Sequence, residues 1–160
     1  MAVPEILEVE RYRSAAQAVV GRTIEAVRAR DPWYLKRGLS PSEARAALLG
    51  HSVTSARRRG KLLLLDTDGP ILGLRFGTTG RLLVDGGAPV GGLEYGPDRF
   101  DAAWIRFSLG FAEGGSLALE DARRLGGVEL WPDEGALGPD ALSVTRRELA
   151  SMLSGVRAPL

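Results

Sequence analysis

Cysteine is absent from the chain, so disulfides and thiolate zinc sites are excluded. Histidine occurs once, at His51, and no histidine pair, carboxylate cluster or glycine-rich phosphate loop supports a metal or nucleotide site. His51 falls at an expected strand start, where a structural or surface role is the natural reading. No apolar run approaches the ~20 residues of a membrane span. The start lacks the cationic segment and cleavage site of a signal peptide, and a cytoplasmic protein is the expectation. No internal repeat is present. What remains is ordinary globular material: 160 residues, 44% apolar and 26% charged, enough for one domain with a real core.

The net charge of +1 conceals an uneven distribution. Residues 51–81 carry six Lys/Arg against two Asp/Glu, whereas residues 82–160 carry seven against twelve. A basic middle in an otherwise neutral-to-acidic chain fits either a phosphate-binding face or a solvated stripe.

The pattern is mainly β, with a helix at each end and a short one between. Pro4 suits a first helical turn, and Glu5, Glu8 and Glu10 favour the positive end of the helix dipole that follows. Ile6, Val9, Ala16, Val19 and Val20 fit one apolar face, and Gly21 closes the helix. Residues 23–30 alternate as a strand. Ser40, Pro41 and Glu43 spell a capped helix start, ending at Gly50. Strands are expected at 51–58, 61–66, 71–76, 81–84, 103–107, 116–119 and 126–130, with Asp68-Gly69 and Gly114-Gly115 as turns. The Gly/Pro-rich stretch 85–98 reads as a long mobile loop, and residues 145–153 as a final helix.

Five stretches, in order, carry a family resemblance. Pro4-Glu5-Ile6-Leu7-Glu8-Val9-Glu10 resembles the opening of the formamidopyrimidine-DNA glycosylase and endonuclease VIII family. Arg57-Arg58-Arg59-Gly60-Lys61-Leu62-Leu63-Leu64 resembles its basic turn and strand. Leu74 to Leu82 resembles its His-Leu-Gly-Met-Ser-Gly stretch, Asp121-Ala122-Arg123-Arg124-Leu125-Gly126 its Asp-Pro-Arg-Arg-Phe-Gly, and Leu137 to Leu142 its Leu-Gly-Pro-x-Pro-Leu.

The resemblance implies a mainly β (α+β) fold, a two-layer β-sandwich with flanking helices, over residues 1–142. Residues 143–160 would be a C-terminal helix or the start of a helix–two-turn–helix module. It implies base-excision repair by a bifunctional glycosylase and abasic-site lyase acting on oxidised bases. The alternatives are a catalytically inactive DNA-lesion-binding module or a protein-binding scaffold. The catalytic positions would be Pro4, whose secondary amine attacks the nucleoside, Glu5 as acid/base, and Lys61. DNA contacts would come from Arg57, Arg58 and Lys61 on phosphate, Thr78 at the wedge position, Arg123 on the orphaned base, and Leu125 between bases. The partner is double-stranded DNA with a damaged base or abasic site, bound by a nucleoid-associated monomer with no cofactor, metal or membrane.

The sequence departs from the pattern in five places. Thr78 stands where the family has methionine and is a shorter, polar wedge. Leu125 replaces an aromatic, and Ala122 a proline. Met1-Ala2-Val3 precedes Pro4, so the proline nitrogen as written is an amide. An α-amino group forms a Schiff base, whereas an acylated proline cannot. Either Ala2 substitutes from a displaced position, or trimming frees Pro4, or the proline chemistry is lost. Finally, the chain stops where the family continues into its helix–two-turn–helix module and zinc finger; a fragment or a natural single-domain relative is expected.

Overall fold

The computed structural model describes residues 3–97 and 99–155. Ala2, Asp98 and residues 156–160, which entered the expectations above, lie outside the described residues. Helix α1 spans Ile6–Ala16 and continues as a 3-10 turn over Gln17–Val19. Its N-cap is Glu5, in a reciprocal capping box with Glu8, so Pro4 sits one residue before the cap and not in the first helical turn. Val9, Tyr12, Ala16 and Val19 form its buried face. Helix α2, Pro41–Leu48, starts as its sequence dictates: the Ser40 hydroxyl accepts from the Glu43 N–H, and Glu43 accepts from the Ser40 N–H at 2.8 Å.

Eight strands follow the expected order, with shifted ends: β1 Ile24–Arg28, β2 Val53–Arg59, β3 Leu62–Thr67, β4 Ile71–Arg75, β5 Gly80–Val84, β6 Ile105–Phe111, β7 Ser116–Asp121 and β8 Gly127–Leu130. They form two antiparallel four-stranded sheets, β1-β6-β7-β5 and β2-β3-β4-β8, packed as a sandwich around one apolar cluster. Leu62 to Leu65 are all fully buried, which explains four consecutive leucines where a half-exposed strand would alternate. The hairpin β6–β7 is longer than its sequence pattern indicates, turning through Gly114 and Gly115 at φ 98° and 80°. Helix α3, Arg146–Ser154, lies outside the core, with no buried residue.

The stretch expected as a mobile loop is pinned down instead. Val90 and Leu93 are both buried in the main core, and Gly87 pairs with Val84. The apolar side chains of an otherwise Gly/Pro-rich segment thus anchor it.

Register explains how a site can form. Leu62 of β3 pairs with Arg75 of β4, and Arg75 pairs with Gly127 of β8. The turn at Gly60-Lys61, the turn leaving β4 and the approach to β8 therefore share one end of the sheet, beside the start of α1. Among the described residues, no helix is long and apolar enough to cross a membrane.

Candidate functional site

At that shared end lies a cleft of about 320 Å³, lined by Pro4, Glu5, Lys61, Arg75, Phe76, Gly77, Thr78 and Leu125. Glu5 arrives on the cap of α1 and Lys61 on the β2–β3 turn, and Glu5 Oε2 meets Lys61 Nζ at 2.7 Å. Both side chains are more than half exposed, so this pair contributes little to stability. It leaves a carboxylate and an ammonium beside Pro4, open to a ligand.

The back of the cleft is rigid. Tyr12 of α1 stacks on Phe76 with ring centroids 4.5 Å apart, and its hydroxyl donates to the Gly80 carbonyl. Gly77 has φ 57°, and a Cβ there would lie 2.7 Å from the Leu125 backbone, so only glycine lets the 76–80 turn close onto the 122–126 turn. Both turns hang on Asp121, which is fully buried at the end of β7. Its carboxylate accepts from Thr79 Oγ1 at 2.5 Å, the Gly126 N–H at 2.8 Å and the Tyr34 hydroxyl at 3.2 Å. Burial, then the Asp121 charge, hold the Tyr34 hydroxyl well above its ordinary pKa, keeping it a donor.

Thr78 lines the cleft but turns its hydroxyl inward, where it is buried without a hydrogen-bond partner among the described residues. Leu125 is half exposed at the rim. Arg123 is exposed and makes no ion pair among the described residues. Arg124 does pair, bidentate with Asp31 at 2.5 and 2.7 Å.

Two of the expected phosphate contacts are placed differently. Arg57 is engaged by Asp66 at 2.6 Å and Glu134 at 2.8 Å, and does not line the cleft. Arg58 is buried, pairing with Glu10 at 2.8 Å, with Asp140, and with the Gly60 carbonyl. With its guanidinium out of solvent and matched by two carboxylates, Arg58 has no charge to offer a phosphate; Arg57 is neutralised likewise. Their physical part is bracing. Asp140 also accepts from the Gly60 N–H at 2.6 Å, so the brace fixes the turn that presents Lys61. Burial pulls against ionisation of Asp140, but Arg58 and the backbone donors outweigh it and hold its pKa low.

Sequence reasoning brought Pro4, Glu5, Lys61, Thr78 and Leu125 to notice, and the structure gathers all five. It passed over Arg75, a second cation lining the cleft, which pairs with Glu129 at 3.0 Å. It also missed Asp121. The signal available for Asp121 was a carboxylate ending an apolar strand, a position that burial makes costly without several donors. His51 lies elsewhere, its Nδ1 2.8 Å from Asp68 Oδ1.

The family model for the formamidopyrimidine-DNA glycosylase N-terminal domain matches residues 3–128. The chain belongs to this family. Its relatives include formamidopyrimidine-DNA glycosylases of Variovorax paradoxus, 37% identical over 84% of this chain, and of Cereibacter sphaeroides, 35% identical over 99%. A third, from Arabidopsis thaliana, is 32% identical over 88% of this chain. The chain spans 44%, 59% and 39% of those proteins respectively, and so about half the length of the curated relatives it matches. The sandwich superposes with a TM-score of 0.63 on the Lactococcus lactis enzyme bound to DNA containing an abasic site, at 24% identity over 79% of this chain and 44% of that one. The same score relates it to the wild-type Lactococcus lactis enzyme in complex with DNA containing an N7-benzyl-Fapy-dG, at 23% identity, covering 79% and 43%. The glycosylase-domain sandwich is thus the fold of this chain.

Proposed function

We propose that this domain binds double-stranded DNA at a damaged base or abasic site and receives the lesion in the cleft at Pro4, Glu5 and Lys61. The observation that carries this reading is the convergence of those three residues from two distant stretches, with Glu5 and Lys61 at 2.7 Å. In the family's chemistry a neutral amine attacks the sugar carbon bearing the damaged base and ends as a Schiff base, while a neighbouring carboxylate moves the proton. Glu5 stands where that proton would be carried, and Lys61 where a phosphate beside an extruded nucleotide would be held. Oxidised bases are the substrate class that the family membership favours.

Pro4 decides how far the chemistry goes. With Val3 attached its nitrogen is an amide without a nucleophilic lone pair, and the residue is buried. Excision and abasic-site cleavage by this route require the Pro4 amine to be free, whereas lesion binding does not. Borohydride trapping on abasic-site duplex tests both halves. The chain should bind this duplex more tightly than a fully paired one, yet trap little. A variant starting at Pro4 should trap strongly, and Glu5→Gln in that variant should suppress base excision. No preference for the abasic duplex would sink the reading and favour a protein-binding scaffold. Equal trapping by both chains would point to another amine as the nucleophile.

A further inference from the structure

Trp33 is two-thirds exposed, and the structure is built to keep it so. It sits in a 3-10 turn over Pro32–Tyr34, whose cap is Asp31: the Asp31 carboxylate accepts from the Trp33 N–H at 3.1 Å. The next residue, Tyr34, is fully buried and tied to Asp121 beneath the cleft, so the backbone at Trp33 cannot rotate its indole into the core. Lys36 Nζ lies 5.0 Å from the indole centroid and donates to the Trp33 carbonyl at 2.8 Å; Arg124 Cζ lies 6.0 Å from the same ring. Asp31 is the carboxylate of this group, and it is shared by Arg124 and, at 3.6 Å, Arg106. The surroundings of the indole are therefore cationic. Arg124 is followed directly by Leu125 on the rim of the cleft, so the indole lies alongside the lesion site.

An exposed indole on a tied backbone, with two cations by its ring, matches one ligand chemistry well: a flat, electron-rich base attached to phosphate. We propose that Trp33, with Lys36 and Arg124, is a stacking platform for an unstacked nucleobase of the bound DNA, next to the cleft and separate from the pocket that receives the lesion. This inference rests on the DNA-binding reading above. Base–aromatic stacking changes affinity by about tenfold per base and requires the base to be out of its helical stack. A duplex with an unpaired base should therefore sense Trp33, and a fully paired one should not.

The test is fluorescence anisotropy with the same duplex sequence either fully paired or carrying one abasic site, using the chain itself and its Trp33→Ala, Trp33→Phe and Lys61→Ala variants. Trp33→Ala should weaken binding of the abasic duplex by about tenfold and of the paired duplex by less than twofold. Trp33→Phe should recover most of the affinity, while removing the part of the tryptophan emission that abasic DNA quenches. If Lys61→Ala weakens binding and Trp33→Ala does not, the platform is refuted and the DNA-binding reading survives. Equal loss on both duplexes would show a backbone contact and also refute stacking. If the unaltered chain binds neither duplex, the functional reading fails and takes this inference with it.

Discussion

Asp121→Ala should loosen the cleft and cost the fold heavily, and the size of the loss follows from three hydrogen bonds. The carboxylate is inaccessible to solvent and accepts from Thr79 Oγ1, the Gly126 N–H and the Tyr34 hydroxyl. Orphaning a buried donor costs about 1–3 kcal/mol each. Relief from burying a carboxylate, and water entering the vacated space, return part of that. A net loss of about 3–4 kcal/mol is expected, which for a chain of this size lowers Tm by roughly 10 °C. Tyr34→Phe removes one of the three bonds and should cost about 1 kcal/mol. Asp121→Asn should fall between, because its amide oxygen still accepts while its NH2 faces a donor. Thermal melts and urea unfolding measure all three, and an unchanged m-value would confirm that the native state itself has been weakened. If Asp121→Ala costs no more than Tyr34→Phe, the carboxylate does not carry the two turns and the account of the cleft's rigidity is wrong.

Other outcomes can be checked alongside. Lys61→Ala should reduce the slope of log affinity against log salt by about 1, whereas Arg57→Ala should leave the slope unchanged, because its charge is already spent on Asp66 and Glu134. Thr78→Met replaces an orphaned hydroxyl with a longer apolar wedge and should raise affinity for abasic duplex about fivefold more than for intact duplex; equal effects would place residue 78 outside the base stack. Asp66 and Asp140 are both held below the usual aspartate range, the first through Arg57 foremost, the second because Arg58 and backbone donors outweigh burial. A depressed folded pKa gives stability that is present above the unfolded value and lost as pH falls through the folded one. Tm should thus hold near neutrality and fall below about pH 4, and Asp140→Asn should show a shallower acid limb in melts taken across pH.

Local chemistry was the legible part of this chain. Ser40, Pro41 and Glu43 announce α2 because a cap is settled within four residues, and the strands announce themselves because glycine turns bracket them. The helix begins two residues after Pro4, at Ile6, because Glu5 takes the cap position in a box with Glu8 and leaves Pro4 outside. Residues 85–97 carry no helix or strand, as their composition indicates, but Val90 and Leu93 are buried in the core, an anchoring that composition alone does not show. Asp121 was out of reach for a different reason. Its donors come from Tyr34, Thr79 and Gly126, and no spacing within one element relates them.

Charge illustrates the limit most clearly, and it bears on where DNA would lie. Four cations in Arg57-Arg58-Arg59-Gly60-Lys61 look like one phosphate-binding patch. In the fold Arg57 and Arg58 are matched by carboxylates up to 82 residues away, and Arg59 donates to the Leu137 carbonyl at 3.0 Å. Of the four, only Lys61 lines the cleft, on a turn which Arg58 braces through Asp140 and Gly60. Electrostatic attraction for a polyanion depends on uncompensated charge that solvent can see, so the patch counts for less than four cations: Arg57 and Arg58 are matched by carboxylates, whereas Arg59, held only by a carbonyl, and the exposed Lys61 keep theirs. Toward the Leu125 rim of the same cleft lie the exposed Arg123, without an ion pair among the described residues, and the Trp33 group with the half-buried Lys36 and the Asp31-paired Arg124. A duplex drawn to both sides would cross the mouth of the cleft, with Lys61 on one strand's phosphates and the Trp33 group near the other. Its lesion would then lie over Pro4 and Glu5. On this geometry Lys61→Ala and Arg123→Ala should weaken abasic-duplex binding independently, their effects adding within about 0.5 kcal/mol. A strongly non-additive pair would mean that the two cations share one phosphate, and the proposed crossing would be wrong.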